Sequence, residues 1–300
     1  QQNFLVIKNG ALGTLNVTGG TFTSKHSAIQ NWFKANITGG EIKGQLWTDS
    51  YKAGESDGKT VFGGNATFTG EIVMDIYGNV PPTLEIIGGK LDVTNWRITT
   101  DASKAGAKPA VSGGTFSSAI PYEYCAAGYI PEDKGDGKYG VKEGKYVAKV
   151  GSTKYETLAD AIRLAANGNT VTLLDNVTEN VTIGENKDLT LDLNGFTLTN
   201  AGEHTITNNG TLTIKGTGTV DNVTHAKAAI VNYGTMTLNG GTYTRSKECG
   251  KTPYDANGNS FYTILNDKGG SLTIEDGVTV TNVGHFSSMI RNGGEEKEST

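Results

Sequence analysis

Leu15-Asn16-Val17-Thr18-Gly19-Gly20-Thr21-Phe22 is a short alternating strand that runs into a glycine pair and out into a second strand. The arrangement returns at Ala35-Asn36-Ile37-Thr38-Gly39-Gly40-Glu41-Ile42, Leu84-Glu85-Ile86-Ile87-Gly88-Gly89-Lys90-Leu91, Ala110-Val111-Ser112-Gly113-Gly114-Thr115-Phe116 and Met236-Thr237-Leu238-Asn239-Gly240-Gly241-Thr242-Tyr243, with a weaker copy at Gly63-Gly64. The first glycines of the opening series fall at 19, 39, 63, 88 and 113, steps of 20, 24, 25 and 25. A period in the low twenties, built from short strands and tight glycine turns, predicts a solenoid. A solenoid is a scaffold, so this reading constrains the fold far more than the function.

A second repeat runs out of phase with the first. It is Ile-x-Asn, at Ile7/Asn9, Ile29/Asn31, Ile206/Asn208, Ile230/Asn232, Ile264/Asn266 and Ile290/Asn292. Segments such as Leu212-Thr213-Ile214 alternate, which puts Leu212 and Ile214 on one face and Thr213 on the other. Stacked coils would then place like on like. The expected inner columns are Leu191, Leu212, Met236, Leu272 and Leu193, Ile214, Leu238, Ile274. The outer column between them is Asp192, Thr213, Thr237, Thr273. The repeated asparagines are expected to form an internal hydrogen-bonded ladder rather than a ligand surface. Successive copies of one strand lie a whole coil apart, so pairing is parallel. The expected fold is all-β, a right-handed parallel β-helix with three-sided coils.

The rhythm breaks between Ser117 and Gly144, where tyrosines, two prolines and Cys125 cluster. Asp136-Gly137 reads as a hairpin turn between two strand signals. Asp133 and Asp136 lack the further ligands of a calcium loop. The one helix signal lies at about 156–167, with Leu158, Ala161, Ile162 and Ala165 on its apolar face and Gly168 as its stop. The expected organisation is the C-terminal part of one β-helix module over 1–116, a cap and connector over 117–144, and the N-terminal part of a second module over 145–300. Both ends read as cuts through a longer solenoid. Neighbouring modules of the same chain are therefore expected partners.

Composition supports this organisation. Glycine is 42 of 300 residues and proline only 6, which suits many tight turns and not disorder. The net charge of −5 lacks the clustered basic residues of a nucleic-acid partner. No apolar run reaches membrane-spanning length, and no signal peptide stands at Gln1. The two cysteines, Cys125 and Cys249, form no metal motif and read as two free or buried thiols, with a Cys125–Cys249 bridge as the alternative.

Gly113-Gly114-Thr115-Phe116-Ser117, Pro121-Tyr122-Glu123-Tyr124-Cys125-Ala126-Ala127-Gly128-Tyr129 and Gly135-Asp136-Gly137-Lys138-Tyr139-Gly140-Val141 resemble a module junction in large repetitive proteins of gut Firmicutes and their phages. Leu189-Thr190-Leu191-Asp192-Leu193-Asn194-Gly195-Phe196-Thr197-Leu198 is similar to the first coils of those proteins. The resemblance implies the pectate-lyase-like superfold and exposure on a bacterial surface, in secretion or on a virion. The family carries no settled activity, so it supplies no catalytic residues.

Polysaccharide lyases and hydrolases on β-helices need acids clustered over neighbouring coils. The aligned outer column reads Asn16, Asn36, Glu85, Ala110 in the first half and holds no adjacent acid pair. The column beside the second-half threonines, Asn194, Lys215, Asn239, Glu275, is mixed. The histidines, His26, His204, His225 and His285, show no metal spacing. No catalytic residue, metal or cofactor is therefore assigned. Binding is expected in the insertions at 47–59 and 245–261, where exposed aromatics beside Asn and Asp suit sugar rings and hydroxyls. The candidate ligand contacts are Trp47, Tyr51, Trp96, Tyr254, Asp255 and Asn257, with Trp32 as a further aromatic. The expected function is a non-enzymatic adhesin-like or stalk protein that displays binding loops to glycans or surface proteins. A phage fibre or capsid-decorating protein and a polysaccharide-degrading enzyme are the alternatives.

Overall fold

The computed structural model describes residues 5–50, 58–76, 80–99, 107–247, 262–267, 269–281 and 288–293. It is a β-solenoid of about 10 turns, with stacked parallel coils and one α-helix. The chain divides into two compact units, Gln1–Lys145 and Tyr146–Thr300, each with its own apolar core.

Each coil has three walls. In the first unit long strands such as Thr14–Asn31 and Lys34–Ser50 turn the corners without leaving the sheet. The first wall stacks Val17, Ile37, Phe62, Ile86 and Val111 in register. The second stacks Phe22, Ile42, Phe68, Leu91 and Phe116. The third stacks Ile7, Ile29, Leu46, Ile72 and Trp96. Most of these side chains are fully buried, and each such burial is worth about 1.5–3 kcal/mol relative to exposure. No coil can offset its own ordering entropy alone, so stability comes from the stack.

The glycine pairs are the corners between the first and second walls. The second glycine of the pair has φ of 91° at Gly20, 89° at Gly40, 91° at Gly89 and 100° at Gly114. That left-handed conformation is costly for any residue with a Cβ. At two of the pairs the first glycine is needed for closeness instead: a Cβ on Gly39 would sit 2.2 Å from the Thr18 carbonyl oxygen, and one on Gly113 2.4 Å from that of Ile87, each on the coil beside it.

The second unit separates its walls into three sheets of five parallel rungs, the first of which gains two antiparallel strands at its start. Its columns correct the predicted register in one coil. Leu189 pairs with Leu212 and Leu191 with Ile214, so the outer neighbour of Thr213 is Thr190 and that of Lys215 is Asp192. Leu189-Thr190-Leu191-Asp192-Leu193 offers three equivalent apolar positions, and alternation alone does not choose between them. Leu193 is buried, but it belongs to the corner before Asn194 (φ 47°) and Gly195 (φ 85°). The remaining rungs follow the predicted order, Leu212–Met236–Leu272 and Ile214–Leu238–Ile274. In the first unit Val61 stands between Asn36 and Glu85 in the outer column.

The asparagines form ladders. Asn208 Nδ2 donates to Asn232 Oδ1 at 2.7 Å, Asn232 to Asn266 at 2.6 Å and Asn266 to Asn292 at 2.6 Å. In the first unit Asn9 donates to Asn31 at 2.7 Å, and Asn31 then donates to the Thr60 hydroxyl at 3.0 Å.

A hairpin, Tyr129–Gly135 and Lys138–Glu143, follows the last rung of the first unit. Asp136 (φ 52°) and Gly137 (φ 68°) form its turn, and Asp133 Oδ1 accepts the Gly135 amide at 2.9 Å. The hairpin pairs antiparallel with the stack at Phe116–Tyr139. At the start of the second unit the helix Leu158–Leu164 buries Leu158, Ala161 and Ile162 against the core. It is shorter than the predicted segment. Thr157 is extended and caps the helix from outside, its hydroxyl accepting the Asp160 amide. At the other end Ala165 is already extended, and the Lys187 ammonium takes the Arg163 and Ala165 carbonyls. Gly168, with φ of 80°, therefore shapes the following turn and does not end the helix.

Candidate functional site

A cluster of polar side chains lies on the outer face of the third wall of the first unit. Alternation after the inward-facing Leu46 sends Trp47 and Asp49 outward, while Thr48 points in and meets the Thr60 hydroxyl at 2.7 Å. Register then sets Asp49 beside Asp75 and Trp47 beside Val73. One coil further, Arg97 lies beside Val73 and Asn95 beside Glu71. The result is a compact grid over three coils: Gln45, Glu71 and Asn95; Trp47, Val73 and Arg97; Asp49, Asp75 and Thr99.

Asp49 stands at one corner of this grid and is only 1% exposed. Its Oδ2 accepts the Trp32 indole N–H at 3.0 Å and the Gln30 amide at 3.3 Å. Its Oδ1 has no hydrogen-bond partner, and neither does the buried indole nitrogen of Trp47. Burial pushes the Asp49 carboxyl up to about 6, and Asp75 adds to the rise; Gln30, Trp32 and Lys8 oppose it. Asp75 is better satisfied, with the Thr99 hydroxyl at 2.6 Å from Oδ1 and Arg97 at 3.7 Å from Oδ2. Arg97 also lies 3.5 Å from Glu71, which accepts the Gln45 and Asn95 amides at 2.8 Å and 2.7 Å.

The indoles are engaged on their faces as well. Lys8 sits 3.9 Å from the Trp32 ring centroid, and Arg97 5.6 Å from that of Trp47. One face of each ring is thus taken by a cation, which leaves at most the other face for stacking. Chemically the grid offers one buried carboxyl, Asp49, beside a second, Asp75, that is paired with Arg97.

The predicted contact residues fall in different places. Trp47 belongs to this grid and is half-buried. Trp96 points into the core, stacked on Phe116 at 6.5 Å and tilted against Tyr124 at 5.0 Å, where it packs between the last rungs and the cap. Tyr51, Tyr254, Asp255 and Asn257 lie outside the described residues, as do Cys249 and His285. Asp49, Asp75, Glu71 and Arg97 were missed by sequence reading. The acid pair sits on the third wall, whereas the outer column aligned from sequence belongs to the first. Two aligned strings, Leu46-Trp47-Thr48-Asp49 and Ile72-Val73-Met74-Asp75, carried the signal.

The other candidates are structural. Cys125 is a free thiol, half-buried, with its sulfur 3.8 Å from the Pro121 carbonyl; burial pushes it up to about 11, far from a reactive thiolate. His204 Nδ1 accepts the Ala228 amide at 2.8 Å, and burial lowers its pKa. Among the described residues no group of three or more His, Cys, Asp or Glu is placed to hold a metal ion. No family model matches this chain, and neither does any curated protein or solved structure.

Proposed function

We propose that this chain is a non-enzymatic display segment, an adhesin-like or stalk region exposed on a bacterial surface or secreted, whose coils hold binding loops for glycans or surface proteins. Its affinity with repetitive pectate-lyase-like proteins of gut Firmicutes and their phages is part of the same reading. One observation carries it: the repeated polar residues are consumed by the stack itself. Asn208, Asn232 and Asn266 bond to one another and to neighbouring carbonyls, so the most regular polar feature of the chain serves rigidity. A scaffold so built resists local opening, which is what a protease-exposed support requires. The test is proteinase K digestion at 37 °C, paired with a glycan array for wild type and Trp47→Ala. Array binding by neither form removes the glycan part of the reading; survival of both units together with array binding by the wild type supports the whole of it. Rapid digestion within the rungs removes it.

A second reading, a polysaccharide lyase or hydrolase, is favoured by the Asp49–Asp75 pair on adjacent coils. Release of reducing or unsaturated ends from a polysaccharide panel, abolished by Asp49→Asn and Asp75→Asn, would establish it; no product from any substrate would dismiss it.

A further inference from the structure

The cap hairpin touches the second wall and then stands away from it. Its pairing with the stack is limited to Phe116–Tyr139, and the Lys134 ammonium fastens it to the Gly114 carbonyl at 3.3 Å. Beyond that point the turn at Asp136–Lys138 and the outer face of the wall border an open groove of about 600 Å³. The floor spans three rungs in register: Thr67 beside Lys90 beside Thr115, and Thr69 beside Asp92, with Ser117 bonding Asp92 at 2.5 Å. Adjacent rungs of a parallel sheet lie about 4.8 Å apart, so the groove runs along the stacking axis with hydroxyls and charges at regular steps.

We propose that this groove binds a neutral, extended glycan chain lying along the stack, which deepens the display reading above and rests on it. Three features select that occupant. The lining is amphipathic: threonine methyls and lysine stems offer apolar contact, while hydroxyls, carboxylates and ammonium groups stand among them. The charges balance, Lys90 and Lys138 against Asp92 and Asp136, so neither a polyanion nor a polycation gains a net field. The two inner rungs of the floor, Thr67–Thr69 and Lys90–Asp92, are paired on both sides in the parallel ladder, and the hairpin meets the last rung at Phe116–Tyr139, so an extended peptide finds little strand edge there to pair with. The hairpin is pre-formed by its turn and by the Lys134 fastening, so binding orders little new chain.

The experiment is isothermal titration of the whole 300-residue chain with cellohexaose, xylohexaose and chitohexaose, with hexagalacturonate as the anionic control. Variants are Thr69→Trp, which fills the groove from an outward position, and Lys138→Ala at the exposed turn, which leaves every inner column intact. Binding of a neutral hexasaccharide, weakened about tenfold or more by both variants and unchanged in Trp47→Ala, is the expected result. Binding that survives both variants overturns the groove and leaves the display reading standing. Preference for hexagalacturonate, or no hexasaccharide binding at millimolar concentration, also overturns the groove; the protease test judges the scaffold separately.

Discussion

Asn232 donates its side-chain amide to Asn266 Oδ1 on the next coil while its own Oδ1 accepts the amide of Asn208 from the coil before. The same Nδ2 also reaches the Gly234 and Ser271 carbonyls at 3.1 Å and 3.0 Å, in a site with no solvent exposure. Replacing it with Leu keeps the bulk and strands all these partners. An unsatisfied buried polar group costs about 1–3 kcal/mol. Asn232→Leu is expected to lose at least about 2–4 kcal/mol of stability on that scale. Urea unfolding followed by circular dichroism reads this directly; a loss below about 1 kcal/mol would mean the ladder is ornamental to stability.

Asp49 gives a pH dependence with a definite sign. Its folded pKa of about 6 lies above the ordinary value of 3.8, chiefly because of burial, with Asp75 contributing. A group raised in this way favours the folded chain while protonated. The contribution is complete below about pH 4 and is lost as pH rises through about 6. At about 1.4 kcal/mol per unit, removing the charge at pH 7.5 is worth up to about 3 kcal/mol. Asp49→Asn is expected to raise the unfolding midpoint of the first unit at pH 7.5 and to leave it nearly unchanged at pH 4. An equal shift at both values would show that charge is not the cause.

The repeat made the coil readable because each wall repeats one alternating string, and an in-register stack preserves it. The glycine corners and the Ile-x-Asn ladder are both read from single positions such as Gly40 and Asn232, where only one residue type meets the geometry. The acid pair was not readable in the same way. Asp49 and Asp75 lie on a wall where the Ile-x-Asn motif has lapsed: Thr48 replaces the asparagine in register with Asn31. With the marker gone, nothing local shows that residues 26 apart are neighbours. The slip at Leu189–Leu193 has the opposite origin, too many equivalent positions for the pattern to choose among.

Coil spacing makes two glycines behave oppositely. A Cβ on Gly234 would lie 2.1 Å from the Gly210 carbonyl oxygen, backbone that is fixed by the stack. A Cβ on Gly184 meets nothing within 4 Å. Neither glycine has a positive φ, so the contrast isolates closeness from backbone conformation. Gly234→Ala is expected to lower stability by about 2 kcal/mol or more through forced separation of two rungs. Gly184→Ala is expected to be neutral or to gain up to about 1 kcal/mol through the unfolded chain. Matching thermal shifts for the two variants would show that the rungs are less closely stacked than this.

Glu179 holds the helix of the second unit from another coil. Its two oxygens accept the Leu158 and Ala159 amides at 2.9 Å and 3.0 Å, groups that no helical carbonyl can reach. The carboxylate also lies at the positive end of the short helix dipole. Thr157 supplies a second cap through the Asp160 amide at 3.1 Å. A seven-residue helix has little stability of its own, so these contacts and its buried face keep it seated over the first rung. Glu179→Ala is expected to cost about 1–2 kcal/mol, and to raise amide exchange at Leu158 and Ala159 before exchange at the rung residues Leu212 and Leu238. Glu179→Gln retains one acceptor and should recover part of the loss. Exchange that rises equally in the helix and the rungs would mean that the helix and the stack open together, and that Glu179 does not act locally.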